Sequence, residues 1–79
     1  MTSADKYQKV FLECFPIPQE KLNSNFTYQS IPEWDSVGHM ALMAALEEAF
    51  DIVLDIDDII EFGSYTLGIE ILKKYDVTL

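Results

Sequence analysis

A single cysteine, Cys14, and a single histidine, His39, are all that this 79-residue chain offers for cross-linking itself. No internal disulfide and no cysteine- or histidine-based zinc centre can be assembled from so few ligands. The fold must therefore rest on burial alone, close to the lower size limit for a single core. The material for that core is present: 49% of the residues are hydrophobic, and five Phe, four Tyr and one Trp are among them. Such a chain is too apolar and too aromatic to be an acidic disordered tail. Residues 1–79 read as one domain.

Charge is distributed unevenly along it. Residues 1–32 balance Lys6, Lys9 and Lys21 against Asp5, Glu13 and Glu20, whereas residues 33–79 set eleven acids against Lys73 and Lys74 and carry the whole net charge of −9. There is no Arg anywhere. A nucleic-acid surface needs clustered Lys and Arg, so that function class is excluded. The field instead favours partners with basic patches, whose approach it would accelerate. No apolar run approaches the roughly 20 residues that span a bilayer, so no membrane role is expected. Met1 to Lys9 is polar, without the apolar centre of a secretion signal, and a monomer in a reducing cytoplasm is the expected setting.

Helical spacing dominates the pattern. Tyr7, Val10, Phe11 and Cys14 make one apolar stripe over residues 2–15, with Ser3 able to cap its start and Pro16 and Pro18 ending it. Residues 16–35 form a long connection with Leu22, Phe26 and Ile31 as expected anchors, a loop length that is often functional. Residues 36–50, SVGHMALMAALEEAF, are the strongest helical segment, with Ser36 as a favoured N-cap type. Leu42, Leu46, Ala49 and Phe50 suit a core, while Val37, Met40, Ala41 and Ala44 make a second apolar stripe. A short helix over 57–62 ends at Gly63, which would supply a left-handed cap, and Ser64 caps a last helix over 65–75. The expectation is an all-α fold: a small four-helix bundle of three main helices, one short helix and a long first loop.

The segment Pro32 to Leu54 carries the most specific signal. Asp35-Ser36 stands at the mouth of a helix, followed by Leu42, the run Leu46-Glu47-Glu48, Phe50 and Ile52. In this order and at this length the chain resembles the acyl carrier and peptidyl carrier proteins, in free-standing form, over nearly its whole length. The resemblance implies a bundle of the acyl-carrier type, with 4′-phosphopantetheine esterified to Ser36 and no catalysis by the chain itself. The arm would hold acyl or aminoacyl intermediates as thioesters for a fatty-acid, polyketide or related specialised pathway. Implied partners are a phosphopantetheinyl transferase and acyl- or aminoacyl-transferring and elongating enzymes with basic docking patches. Asp35, Val37, Met40, Ala44, Glu47 and Glu48 would meet those partners, and Ile59, Ile60, Phe62 and Tyr65 would line a shelter for an acyl chain. The run WDSVGHM, with Trp34, Val37 and Gly38, looks more like carriers of specialised pathways than like the housekeeping fatty-acid type.

Physical chemistry agrees independently, because a helix N-terminus presents free N–H groups and a positive dipole end to a phosphodiester. Two other readings remain at this stage. One is an unmodified acidic helical interaction module in which Ser36 merely caps a helix. The other is a divalent-cation binder around Asp51, Asp55, Asp57 and Asp58, whose spacing lacks the glycine and closing glutamate of an EF-hand loop.

Overall fold

The computed structural model describes residues 2–79. Its order is α1 (Ser3–Cys14), a single 3-10 turn at Gln19–Lys21, α2 (Ser36–Phe50), α3 (Ile56–Glu61) and α4 (Tyr65–Lys73). No strand occurs among the described residues; one isolated antiparallel bridge joins Thr27 to Ser64. The expected small helical bundle is thus observed.

α1, α2 and α4 each begin where a side chain satisfies an early amide, whereas α3 has no side-chain cap. Thr2, not the expected Ser3, caps α1 in a reciprocal box with Asp5. Asp35, not Ser36, caps α2: its Oδ1 accepts from the Gly38 N–H at 2.9 Å. Ser64 caps α4 as expected, accepting from the Leu67 N–H at 3.0 Å. The ends are less regular. α3 spans Ile56–Glu61 rather than 57–62, and Gly63 does not adopt a left-handed conformation. That conformation falls to Gln29, Asp51 and Asp76 instead, with Asp51 (φ 54°) closing α2. Gly63 is used for its carbonyl, which accepts from the Tyr28 N–H at 2.9 Å, while the Tyr65 N–H donates to the Phe26 carbonyl at 2.9 Å. This pair clips the long loop to the α3–α4 junction.

The core is aromatic. The Phe11 ring lies 5.0–6.4 Å from the rings of Tyr7, Phe15, Phe26, Trp34, Phe62 and Tyr65. Leu42, Met43, Leu46, Ile71 and Leu72 close it from α2 and α4. Of the expected loop anchors, Phe26 is buried and Leu22 and Ile31 are half-buried against the core. Trp34, unpredicted as an anchor, is fully buried. Two glycines permit close approach: a Cβ on Gly38 would collide with the Glu33 carbonyl, and one on Gly68 with the Phe62 and Tyr7 side chains. Gly38 thus costs α2 about 1 kcal/mol of propensity, which the close turn of the loop into the helix requires.

Candidate functional site

Because Asp35 takes the cap, Ser36 becomes the first residue of α2 and its hydroxyl is exposed. Its neighbour is the Tyr28 hydroxyl, 3.2 Å away, delivered by the loop clipped at Gly63. Among the described residues the N–H groups of Ser36 and Val37 have no hydrogen-bond partner; those of Gly38 and His39 are taken by Asp35. The mouth of α2 therefore offers an exposed hydroxyl, hydrogen-bonded only to that of Tyr28, beside free backbone donors.

Beside Ser36 runs an apolar groove of about 320 Å³ between α2 and α3, lined by Tyr28, His39, Met40, Ile59, Ile60 and Phe62 with Gly63 at its edge. Ile59, Ile60 and Phe62, expected to line a shelter, do come together there. Tyr65 does not. Its ring packs 4.9 Å from Tyr7 and 5.0 Å from Phe11, and the Tyr7 hydroxyl donates to the Tyr65 carbonyl at 2.6 Å. Burial and the neighbouring Tyr65 hold the Tyr7 hydroxyl protonated far above the usual phenol range.

His39 is a cross-link. The Trp34 indole N–H donates to its Nδ1 at 2.9 Å, and its Nε2 lies 2.7 Å from the Ile59 carbonyl. Since an indole only donates and a carbonyl only accepts, the imidazole here is the neutral Nε2–H tautomer. One ring thus ties the loop, α2 and α3 together, with both nitrogens engaged.

The expected docking residues divide. Val37 and Met40 are 79% and 55% exposed, and Ala41 and Ala44 are exposed with them, so the second apolar stripe of α2 is surface and not core. Val53, Ile56 and Ile60 are exposed as well, and Ile60 shares the groove with Met40. Glu48 is exposed, on the flank where α2 faces Val10, Glu13 and Cys14 of α1. Glu47 is half-buried, and its carboxylate accepts the Leu54 N–H at 2.9 Å, fixing the α2–α3 turn. Its carboxylate, expected at a docking face, is thus engaged within the fold.

The acids from Asp51 to Asp58 do not converge, and among the described residues no group of three or more His, Cys, Asp or Glu could hold a metal ion. Asp58 is buried, accepting from Lys74 Nζ at 2.7 Å and the Tyr75 hydroxyl at 2.5 Å. Those two bonds hold its carboxyl below the usual carboxylate range, and the same pairing raises Lys74. Among the described residues no helix is long and apolar enough to cross a membrane.

Tyr28 and Trp34 are the site residues that sequence reasoning missed. Neither falls in a helical stripe, and nothing in the spacing of the loop sets them apart from its apolar anchors Leu22, Phe26 and Ile31. Compared with known proteins, the chain matches no family model, no curated protein and no solved structure.

Proposed function

We propose that this protein is a free-standing carrier whose Ser36 hydroxyl is esterified by 4′-phosphopantetheine. The observation that carries this reading is the exchange of roles at the mouth of α2: Asp35 caps the helix, and the Ser36 hydroxyl, released from capping, stands exposed beside an apolar groove with the Tyr28 hydroxyl as its hydrogen-bond partner. In the modification, Ser36 Oγ forms a bond to the phosphorus that bears the pantetheine of coenzyme A. The bond from that phosphorus to the adenosine-side phosphate breaks, and adenosine 3′,5′-bisphosphate leaves. The serine proton goes to a base of the transferase, because His39 has both nitrogens engaged. The N–H groups of Ser36 and Val37, with the α2 dipole, then face the phosphodiester. When bound, the arm supplies a thiol that holds an acyl or aminoacyl group as a thioester.

The exposed stripe of Val37, Met40, Ala41 and Ala44 supports docking of biosynthetic enzymes, and the acids around it favour partners with basic patches. Incubation with coenzyme A, magnesium and a phosphopantetheinyl transferase should add one phosphopantetheine to the wild type and none to Ser36→Ala, read by intact mass. The same gain in Ser36→Ala, or none in the wild type with several transferases, overturns the assignment. The exposed stripe equally suits an unmodified interaction module, and the second of those outcomes would favour it.

A further inference from the structure

We propose, resting on the carrier reading, that the Tyr28 hydroxyl is the side-chain donor that holds the phosphodiester of the arm at the mouth of α2. Esterification removes the only proton that Ser36 Oγ carries, so that oxygen can afterwards accept but no longer donate. It also sets an anion beside the Asp35 carboxylate, in a stretch with no Lys or Arg between Lys21 and Lys73. Such a group calls for N–H or O–H donors, and most of the side chains around it have none to give. The Trp34 indole N–H goes to His39 Nδ1 at 2.9 Å, and His39 Nε2 meets the Ile59 carbonyl at 2.7 Å. The Asp35 carboxylate only accepts, and its Oδ1 already takes the Gly38 N–H. Met40, Ile59, Ile60 and Phe62 carry no side-chain donor. What remains is the Tyr28 hydroxyl, 3.2 Å from Ser36 Oγ, the atom to which the phosphorus bonds.

The fold holds this hydroxyl in place before any arm is attached. Tyr28 donates its own N–H to the Gly63 carbonyl at 2.9 Å, and the next amide, that of Gln29, donates to the Trp34 carbonyl at 3.0 Å. Gln29 takes a left-handed conformation (φ 66°) within that turn, which is uncommon for a residue other than glycine. The Tyr28 ring stands edge-on to two others, 5.4 Å and 71° from His39 and 6.4 Å and 86° from Trp34. A donor fixed in this way loses little side-chain freedom when it binds. In the unmodified chain it meets a neutral hydroxyl at an exposed site, where such a bond contributes little. Facing a phosphodiester, the bond becomes charge-assisted and about twice as strong.

The test is a cycle of four proteins: wild type and Tyr28→Phe, each with and without the arm, loaded from coenzyme A by a phosphopantetheinyl transferase and checked by intact mass. Phenylalanine keeps the ring and its contacts and removes only the hydroxyl. Melting temperature is read for all four, and the phosphorus NMR resonance of the phosphodiester for the two loaded forms. Tyr28→Phe should lower the melting temperature of the loaded protein by a few degrees more than that of the unloaded one. Its phosphorus resonance should move from the wild-type position. A hydroxyl with a purely structural role would lower both forms equally. Equal losses in the two forms, or an unmoved resonance, overturn the proposal and leave the carrier reading standing. If Tyr28→Phe, folded by circular dichroism, accepts no arm while the wild type does, the hydroxyl serves the transfer rather than its product, and the proposal fails in the same way. A wild type that gains no mass with several transferases overturns the carrier reading and this inference together.

Discussion

The two flanks of α2 are held by different forces. Toward α1 and α4, α2 meets an aromatic core in which Phe11 alone is ringed by other aromatic side chains. Toward α3 the attachment is largely polar. The His39–Ile59 and Glu47–Leu54 bonds tie the six residues of α3 and its leading turn to α2, while the Asp58–Lys74–Tyr75 group and the bond from the Asp55 N–H to the Tyr75 hydroxyl tie them to the end of α4. Ile56 and Ile60 of α3 remain 72% and 74% exposed. Burial is non-directional and spread over many atoms, whereas a hydrogen bond is lost with one atom. The difference teaches that α3 can be loosened without dissolving the core, and α3 is the wall of the groove beside Ser36.

Breaking the aromatic flank should have the largest effect. Phe11→Ala should cost about 3–5 kcal/mol, a large share of the roughly 5–15 kcal/mol that domains possess. Urea unfolding followed by circular dichroism reads it. A loss below about 1 kcal/mol would mean that the ring cluster is not what holds this flank.

Cutting the tether at His39 should have a smaller and more local effect. His39→Ala leaves the Trp34 indole N–H and the Ile59 carbonyl unpaired, at a cost of about 1–3 kcal/mol. Amide exchange should quicken in Ile56–Glu61 while Ser3–Cys14 keeps its protection. If both helices lose protection together, the two flanks form one cooperative unit and the contrast fails.

The smallest effect is a pH dependence on the α3 flank. The folded-state carboxyl of Asp58 sits below its ordinary value because Lys74 and Tyr75 donate to it. A depressed carboxyl stabilises the fold above the ordinary range near pH 4, and that contribution disappears as pH falls through the folded value. Acidification also relieves repulsion among the other acids, which acts in the opposite direction. The informative quantity is therefore the difference between wild type and Asp58→Asn. That difference should be largest near neutrality and shrink below about pH 4. A difference constant from pH 7 to pH 3 would show that the Asp58 pairing carries no charge-dependent stability.

Helix positions were legible because burial follows period: Tyr7, Val10 and Phe11 repeat on one face of α1, and Leu42 and Leu46 on one face of α2. The caps were legible only to within a residue. Thr2 and Ser3, like Asp35 and Ser36, are adjacent residues of cap-forming type, and the backbone angles choose between them. Gly63 misled because left-handed caps favour glycine, yet Asp51 and Asp76 adopt that conformation without it. Ser36 and the isoleucines at 59 and 60 were identified from the chain as site residues. Tyr28, eight positions upstream of Ser36, was not, because nothing in local spacing links a loop tyrosine to a helix mouth.

By itself the amino-acid sequence determined the helical period, the acidity of the second half and the Asp-Ser pair at the start of α2, all properties of neighbours along the chain. The tertiary structure decided which of the two α2 stripes meets water, that Asp35 rather than Ser36 satisfies the helix mouth, and that His39 joins Trp34 to Ile59. It also gave the Glu47 carboxylate to the Leu54 N–H and packed the Tyr65 ring on Tyr7 and Phe11 rather than in the groove. The physical reason is that apolar stripes and cap residues state a demand for burial or for a donor. Which neighbour meets that demand depends on groups distant in sequence, and here they come together only when the long loop is clipped to the α3–α4 junction.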